Sequence, residues 1–115
     1  MAIEAERNGH TLIARADDRV DGSNARSFQS DLESVIEESD KEVILDFQNL
    51  SYISSAGLRA VLLTAKAMRR QETKFAVCCL SDTALEVFQI SGFDKIISIH
   101  PTLPEAIDYL HQASV

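Results

Sequence analysis

Two short runs, EVILDF at residues 42–47 and FAVCCL within residues 74–80, are apolar at consecutive rather than alternating positions. A strand with one wet face alternates, so a strand apolar on both faces has to be covered on both. The neighbouring segments supply that cover. Leu58, Val61, Leu62, Ala65 and Met68 recur at helical spacing after the first run, and Phe28, Leu32, Val35 and Ile36 do so before it. A chain that interleaves two-sided strands with amphipathic helices is driven towards an α/β architecture.

The remaining segments fit this alternation. Residues 3–7 and 11–16 alternate around Asn8-Gly9 and predict a hairpin. Residues 17–24 read as a polar loop in which Ser23 or Asn24 stands where an N-cap is expected, ahead of a helix from Ala25 to near Ser39-Asp40. The helix after the first run closes on Arg69 and Arg70, whose charges suit a helix C-terminus. Ser81 or Asp82 opens a third helix with Leu85, Val87 and Phe88 inward and Gly92 at its end. Residues 95–100 form a last strand, and Thr102 caps a final helix with Pro104 in its first turn and Ala106, Ile107 and Leu110 inward. The prediction is one α/β domain over residues 1–115, a mixed, mostly parallel sheet of about five strands with about four helices.

With 18 acidic against 11 basic residues the net charge is −7, which disfavours nucleic acid and anionic membrane as partners. No apolar stretch approaches the ~20 residues of a membrane span. The N-terminus lacks a basic-then-apolar signal, so a cytoplasmic location is expected. Cys78 and Cys79 are adjacent within an apolar strand and should point to opposite faces as packing residues. His10, His100 and His111 are scattered singly, and no metal or cofactor is expected.

The stretch LSYISSAGLRAVLL, residues 50–63, sets two adjacent hydroxyls and a glycine at a strand-to-helix corner. In an open α/β sheet such loops lie at the carboxyl ends of strands, where sites are presented. The first-turn N–H groups and the positive end of the helix dipole favour an anion such as a phosphate at Ser54 or Ser55. The other account is structural: one serine is an N-cap and Gly57 allows close helix packing. A serine hydrolase is disfavoured because the chain has no G-x-S-x-G elbow and no histidine near a base position.

DFQNLSYISSAGL, residues 46–58, resembles the signature of the STAS domain of bacterial anti-sigma factor antagonists. The similarity continues through CCLSDTALEVFQISGFDKII, residues 78–97, and upstream through RVDGSNA, residues 19–25, so it covers nearly the whole chain. The resemblance implies a non-enzymatic partner switch without a cofactor. Ser55 is then the phosphoacceptor, Asp21 lies on the same rim, and Ser54, Ala56, Gly57 and Arg59 belong to the partner-binding surface. Ser54 stands where many members have aspartate, and Ala56 where many have a second hydroxyl. The implied partners are an anti-sigma factor serine kinase with a histidine-kinase-like ATPase fold, bound when Ser55 is unmodified and released after phosphorylation, and a serine phosphatase that resets the switch.

Two other readings compete. A receiver domain phosphorylated on aspartate could draw on Asp17, Asp18 and Asp46. Against it, the first strand is followed by a strand, and the last one ends in His100-Pro101 without a receiver's lysine. The nearer alternative is a STAS subunit of a transport or signalling complex that is never phosphorylated. Arg59, Lys66 and Arg70 share one side of their helix, either as a solvated face or to orient a partner.

Overall fold

The structure, a computed structural model, describes residues 3–112. Strands β1 (Ile3–Asn8) and β2 (Thr11–Ala16) form the expected antiparallel hairpin, with Gly9 at a φ of +66° in the turn. β4 (Glu42–Asp46) and β6 (Lys74–Cys78) lie parallel beside β2, and the short β7 (Ser98–His100) completes a five-stranded sheet in the order β1-β2-β4-β6-β7. Four helices accompany it: α1 (Ala25–Val35), α2 (Ser55–Arg70), α3 (Asp82–Ser91) and α4 (Leu103–Gln112). The mixed, mostly parallel sheet is as expected from the two-sided strands.

Both faces of the sheet are covered, unequally. Ala14, Leu45 and Val77 pack against Phe28 and Leu32 of α1, Val61 of α2 and Phe88 of α3. The alternate positions Ile44, Ala76 and Cys78 meet Ala106 and Leu110 of α4, which covers the other face. Every residue of β4 is buried, the physical reason it carries no alternation. At the outer edge, β1 is exposed at every position after its first.

Two further strands depart from the sequence reading. β3 (Asp18–Val20) and β5 (Leu50–Ile53) pair in parallel as a separate two-stranded sheet. Each is too short to carry a pattern: β3 buries only Val20, and β5 only its two end residues, Leu50 and Ile53. β4 therefore does not run directly into the Ser54–Ser55 corner. It ends at Asp46, whose Oδ1 accepts the Gln48 amide at 2.9 Å and turns the chain into β5.

Several boundaries also shift. α1 stops at Val35 because the chain turns under Arg7: the guanidinium donates to both carboxylate oxygens of buried Asp40, at 3.0 and 2.9 Å, and to the Val35 carbonyl. In α3, Ala84 and Phe88 are buried while Leu85 and Val87 are half-buried. The expected strand over residues 95–100 keeps only its last three positions, since Gly92, at a φ of +79°, leads into a 3-10 turn over Phe93–Lys95. Thr102 caps α4 as expected, its Oγ1 accepting the Glu105 amide at 3.3 Å. The two cysteines do not point to opposite faces. Cys79 leaves the strand with a φ of +66°, which brings its Sγ to 3.5 Å from that of Cys78.

Candidate functional site

The small sheet of β3 and β5 places the corner. Val20 and Ile53 are paired neighbours, so the chain leaves both strands at the same level, into the loop that opens α1 and into the start of α2. The Ser54 amide donates to the Val20 carbonyl at 2.9 Å and fastens the two exits together. Asp21, next after Val20, and Ser54, next after Ile53, thus share a rim.

The adjacent serines are not equivalent. Ser54 is the N-cap of α2: its backbone is extended, its carbonyl accepts the Leu58 amide at 2.9 Å, and its Oγ accepts the Gly57 amide at 3.3 Å. Its hydroxyl is committed to the helix end and only partly exposed. Ser55 is the first helical residue, exposed, and among the described residues its hydroxyl makes no hydrogen bond. A group attached to Ser55 Oγ would enter solvent beside first-turn N–H groups and displace no existing bond.

Asp21 is held rather than loose. Its Oδ1 accepts the amide and hydroxyl of Ser23 at 2.9 and 2.6 Å, and its Oδ2 pairs with Arg19 Nε at 2.9 Å. The Ser23 hydroxyl, the Ser23 amide and then the Arg19 charge keep this carboxyl below the usual aspartate range, so it stays ionised near neutral pH. Asn24 occupies the N-cap position of α1 but does not cap it. Its side chain turns back, accepting the Asp21 amide and donating to the Arg19 carbonyl, each at 2.8 Å. These two hydrogen bonds tie the Asp21 loop to the end of β3.

Gly57 and Ala56 sit differently from Ser55. Gly57 is buried, and a Cβ there would lie 2.7 Å from Ile53 Cγ1 and 2.9 Å from Val20 Cγ1. It shapes the corner from beneath. Ala56 is half-buried and lines, with Gly22, Ala25, Arg26 and exposed Arg59, a cleft of about 310 Å³ between α1 and α2. The cleft thus brings Arg59 of α2 together with Arg26 of α1, which the sequence reading passed over, while Asp21 and Ser55 adjoin its lining residues Gly22 and Ala56 along the chain. Nothing in the local pattern marks Arg26, because its place opposite Arg59 follows from how α1 packs on α2. Lys66, with Arg69, lines a separate groove beside Phe75 and Ile96.

Comparison with known proteins agrees with this architecture. The STAS domain family model matches residues 2–106. BtrV of Bordetella bronchiseptica, whose name places it among the anti-sigma factor antagonists, is 38% identical over 99 residues, 86% of this chain and 85% of its own. The crystal structure of an anti-sigma factor antagonist from Mycobacterium paratuberculosis matches with a TM-score of 0.87 at 19% identity, over 96% of this chain and 93% of that one. SpoIIAA in its unphosphorylated form matches with a TM-score of 0.77 at 23% identity, over 96% and 97% of the two chains. The phosphorylated form of Bacillus SpoIIAA gives 0.69 at 23% identity, over 95% and 99%. With the family model spanning most of its length and a relative this similar over most of both sequences, the chain belongs to the STAS domain family.

Proposed function

We propose that this protein is an anti-sigma factor antagonist that works as a partner switch with Ser55 as its phosphoacceptor. The observation that carries the reading is the difference between two neighbouring hydroxyls, Ser54 bonded into the helix cap and Ser55 exposed and unbonded one residue on. The relative named for the same role and the two forms of SpoIIAA support it.

In the unmodified state the rim of Asp21, Ser55 and Arg59 docks on an anti-sigma factor that is also a serine kinase, with a histidine-kinase-like ATPase fold, and frees that factor's client. The kinase then transfers the γ-phosphoryl group of ATP. The bond from phosphorus to the ADP oxygen breaks, a bond to Ser55 Oγ forms, and the hydroxyl proton passes to a base on the kinase. The product carries roughly −1.5 to −2 added charges beside Asp21, which is already ionised. Placed inside a fitted interface, that charge repels the kinase's own acidic groups and spoils packing, and about 2.7 kcal/mol of such loss lowers affinity a hundredfold. No refolding is needed, since Ser54 holds the cap. A serine phosphatase restores the docking state.

The test is binding of candidate kinases encoded near the gene to the unmodified protein and to Ser55→Ala and Ser55→Asp variants, with mass spectrometry after incubation with ATP. Ser55→Ala should bind as the parent does and take up no phosphate; Ser55→Asp should bind about a hundredfold more weakly. Equal binding by all three overturns the reading and favours a STAS subunit that is never phosphorylated, and phosphate found only on Ser54 overturns Ser55 as the acceptor.

A further inference from the structure

On the face of the sheet opposite the serine corner, three strands bring a second constellation together. Arg15, Asp46 and Cys78 are in-register neighbours across β2, β4 and β6. Cys79, turned back by its left-handed backbone, adds a second sulfur 3.5 Å from the first. One carboxylate oxygen of Asp46 and the two Sγ atoms all lie within 4.8 Å of one another. Asp46 and Cys78 are buried, whereas Cys79 is half-buried and lines a cavity of about 470 Å³ whose wall includes Arg15, Asp46, Thr102 and Leu103.

We propose that Cys78, Cys79 and Asp46 form a binding site for one thiophilic divalent cation of the zinc type, with its fourth coordination position open to that cavity. Zinc takes sulfur ligands at about 2.3 Å, so two thiolates on one tetrahedral ion stand roughly 3.8 Å apart. The sulfurs need to separate by only a few tenths of an ångström. Asp46 Oδ1 already accepts the Gln48 amide at 2.9 Å and Oδ2 faces Arg15 Nε at 3.4 Å, but each carboxylate oxygen keeps a second lone pair for a metal. Those two partners orient the carboxylate as outer-shell groups do in metal sites.

Charge selects the valence. Asp46 and Arg15 cancel, and two thiols are neutral, so the empty cluster carries no net charge. A divalent ion that replaces the two thiol protons leaves the total at zero: the cation gains two sulfur bonds and one oxygen bond, and two protons leave to solvent. Two sulfurs with one oxygen also disfavour magnesium or calcium, which take oxygen ligands. The strand register alone would not have assembled this set; the left-handed turn at Cys79 does.

The test uses the untagged full chain, reduced and stripped of metal. Cadmium, as a spectroscopic stand-in, should give a sulfur-to-metal charge-transfer band that saturates at one ion per chain, and zinc should raise the melting temperature and suppress the band by competition. Cys79→Ser, at a half-buried position, should remove most of the band while the variant still melts cooperatively; Asp46→Asn should keep the band and weaken binding. His10→Gln and His111→Gln should change neither. The proposal is overturned if one equivalent of cadmium gives no band, if the band survives Cys79→Ser at full intensity, or if the histidine variants abolish binding. Should Cys79→Ser fail to fold, protection of Cys79 from alkylation by zinc in the parent protein decides instead, and unprotected modification overturns the site.

Discussion

The main-chain oxygen of Val20 lies 3.0 Å from the point where Gly57 would carry a Cβ, and the same oxygen accepts the Ser54 amide at 2.9 Å. One carbonyl thus fixes both the start of α2 and the only side chain its third residue can have. In an open helix Gly→Ala gains about 1 kcal/mol. Here the added methyl meets a backbone atom that cannot swing aside, together with Val20 and Ile53 side chains at 2.9 and 2.7 Å. Overpacking of that kind costs about 1–3 kcal/mol. Gly57→Ala should therefore lower the melting temperature, whereas Gly22→Ala, with nothing within 4 Å of its Cβ, should leave it nearly unchanged.

The two serines should separate cleanly in stability. Ser54→Ala removes the acceptor for the Gly57 amide and should cost about 1 kcal/mol in denaturant unfolding. Ser55→Ala, at an exposed and unbonded hydroxyl, should stay within about 0.5 kcal/mol of the parent. An equal loss in both variants would contradict the assignment of the cap to Ser54.

Asp40 predicts how the fold responds to acid. Its side chain is 1% exposed against 32% for Arg7. The Arg7 hydrogen bonds, then the Glu37 amide, hold its carboxyl below the usual aspartate range against the opposing effect of burial. A lowered folded-state pKa means that the stabilisation is fully present above the unfolded value of about 3.9 and is lost as pH falls through the folded value. Asp40→Asn should cost about 2 kcal/mol at pH 7. It should also flatten the loss of stability between pH 5 and pH 2 or so, as read by urea unfolding across that range.

Asn24→Ala tests the stiffness of the Asp21 loop. The variant loses the bonds to the Asp21 amide and the Arg19 carbonyl, both 2.8 Å, and should destabilise by about 1 kcal/mol. Faster amide hydrogen exchange at residues 21–23, with exchange in β4 unchanged, would locate the effect.

The main sheet and the helices were legible because burial on both faces leaves an unbroken apolar run, as in β4, and amphipathic spacing marks α1 and α2. The cap at Thr102 was legible from residue type, and for α3 residue type narrowed the cap to Ser81 or Asp82, of which Ser81 Oγ accepts the Ala84 amide at 3.2 Å. β3 and β5 were not, since strands of three and four residues derive their register from each other and not from pattern. The end of α1 was hidden for a similar reason, as it depends on Arg7, a residue 33 positions before Asp40. At the corner residue chemistry left Ser54 and Ser55 equal and the family resemblance singled out Ser55, while the helix geometry supplies the physical difference between a capping hydroxyl and an exposed one. The meeting of Cys78 with Cys79 was masked because period-two reasoning fails once a backbone turns left-handed.

The outer border of the sheet has a bearing on life in a crowded cell. β1 ends the ladder on one side and sets Glu4, Glu6 and Arg7 along its exposed length, while β7, at the other side, is only three residues long. Charged or abbreviated borders deny neighbouring molecules a template for pairing. The charges along β1 and the shortness of β7 thus weaken edge-to-edge pairing between copies of this chain.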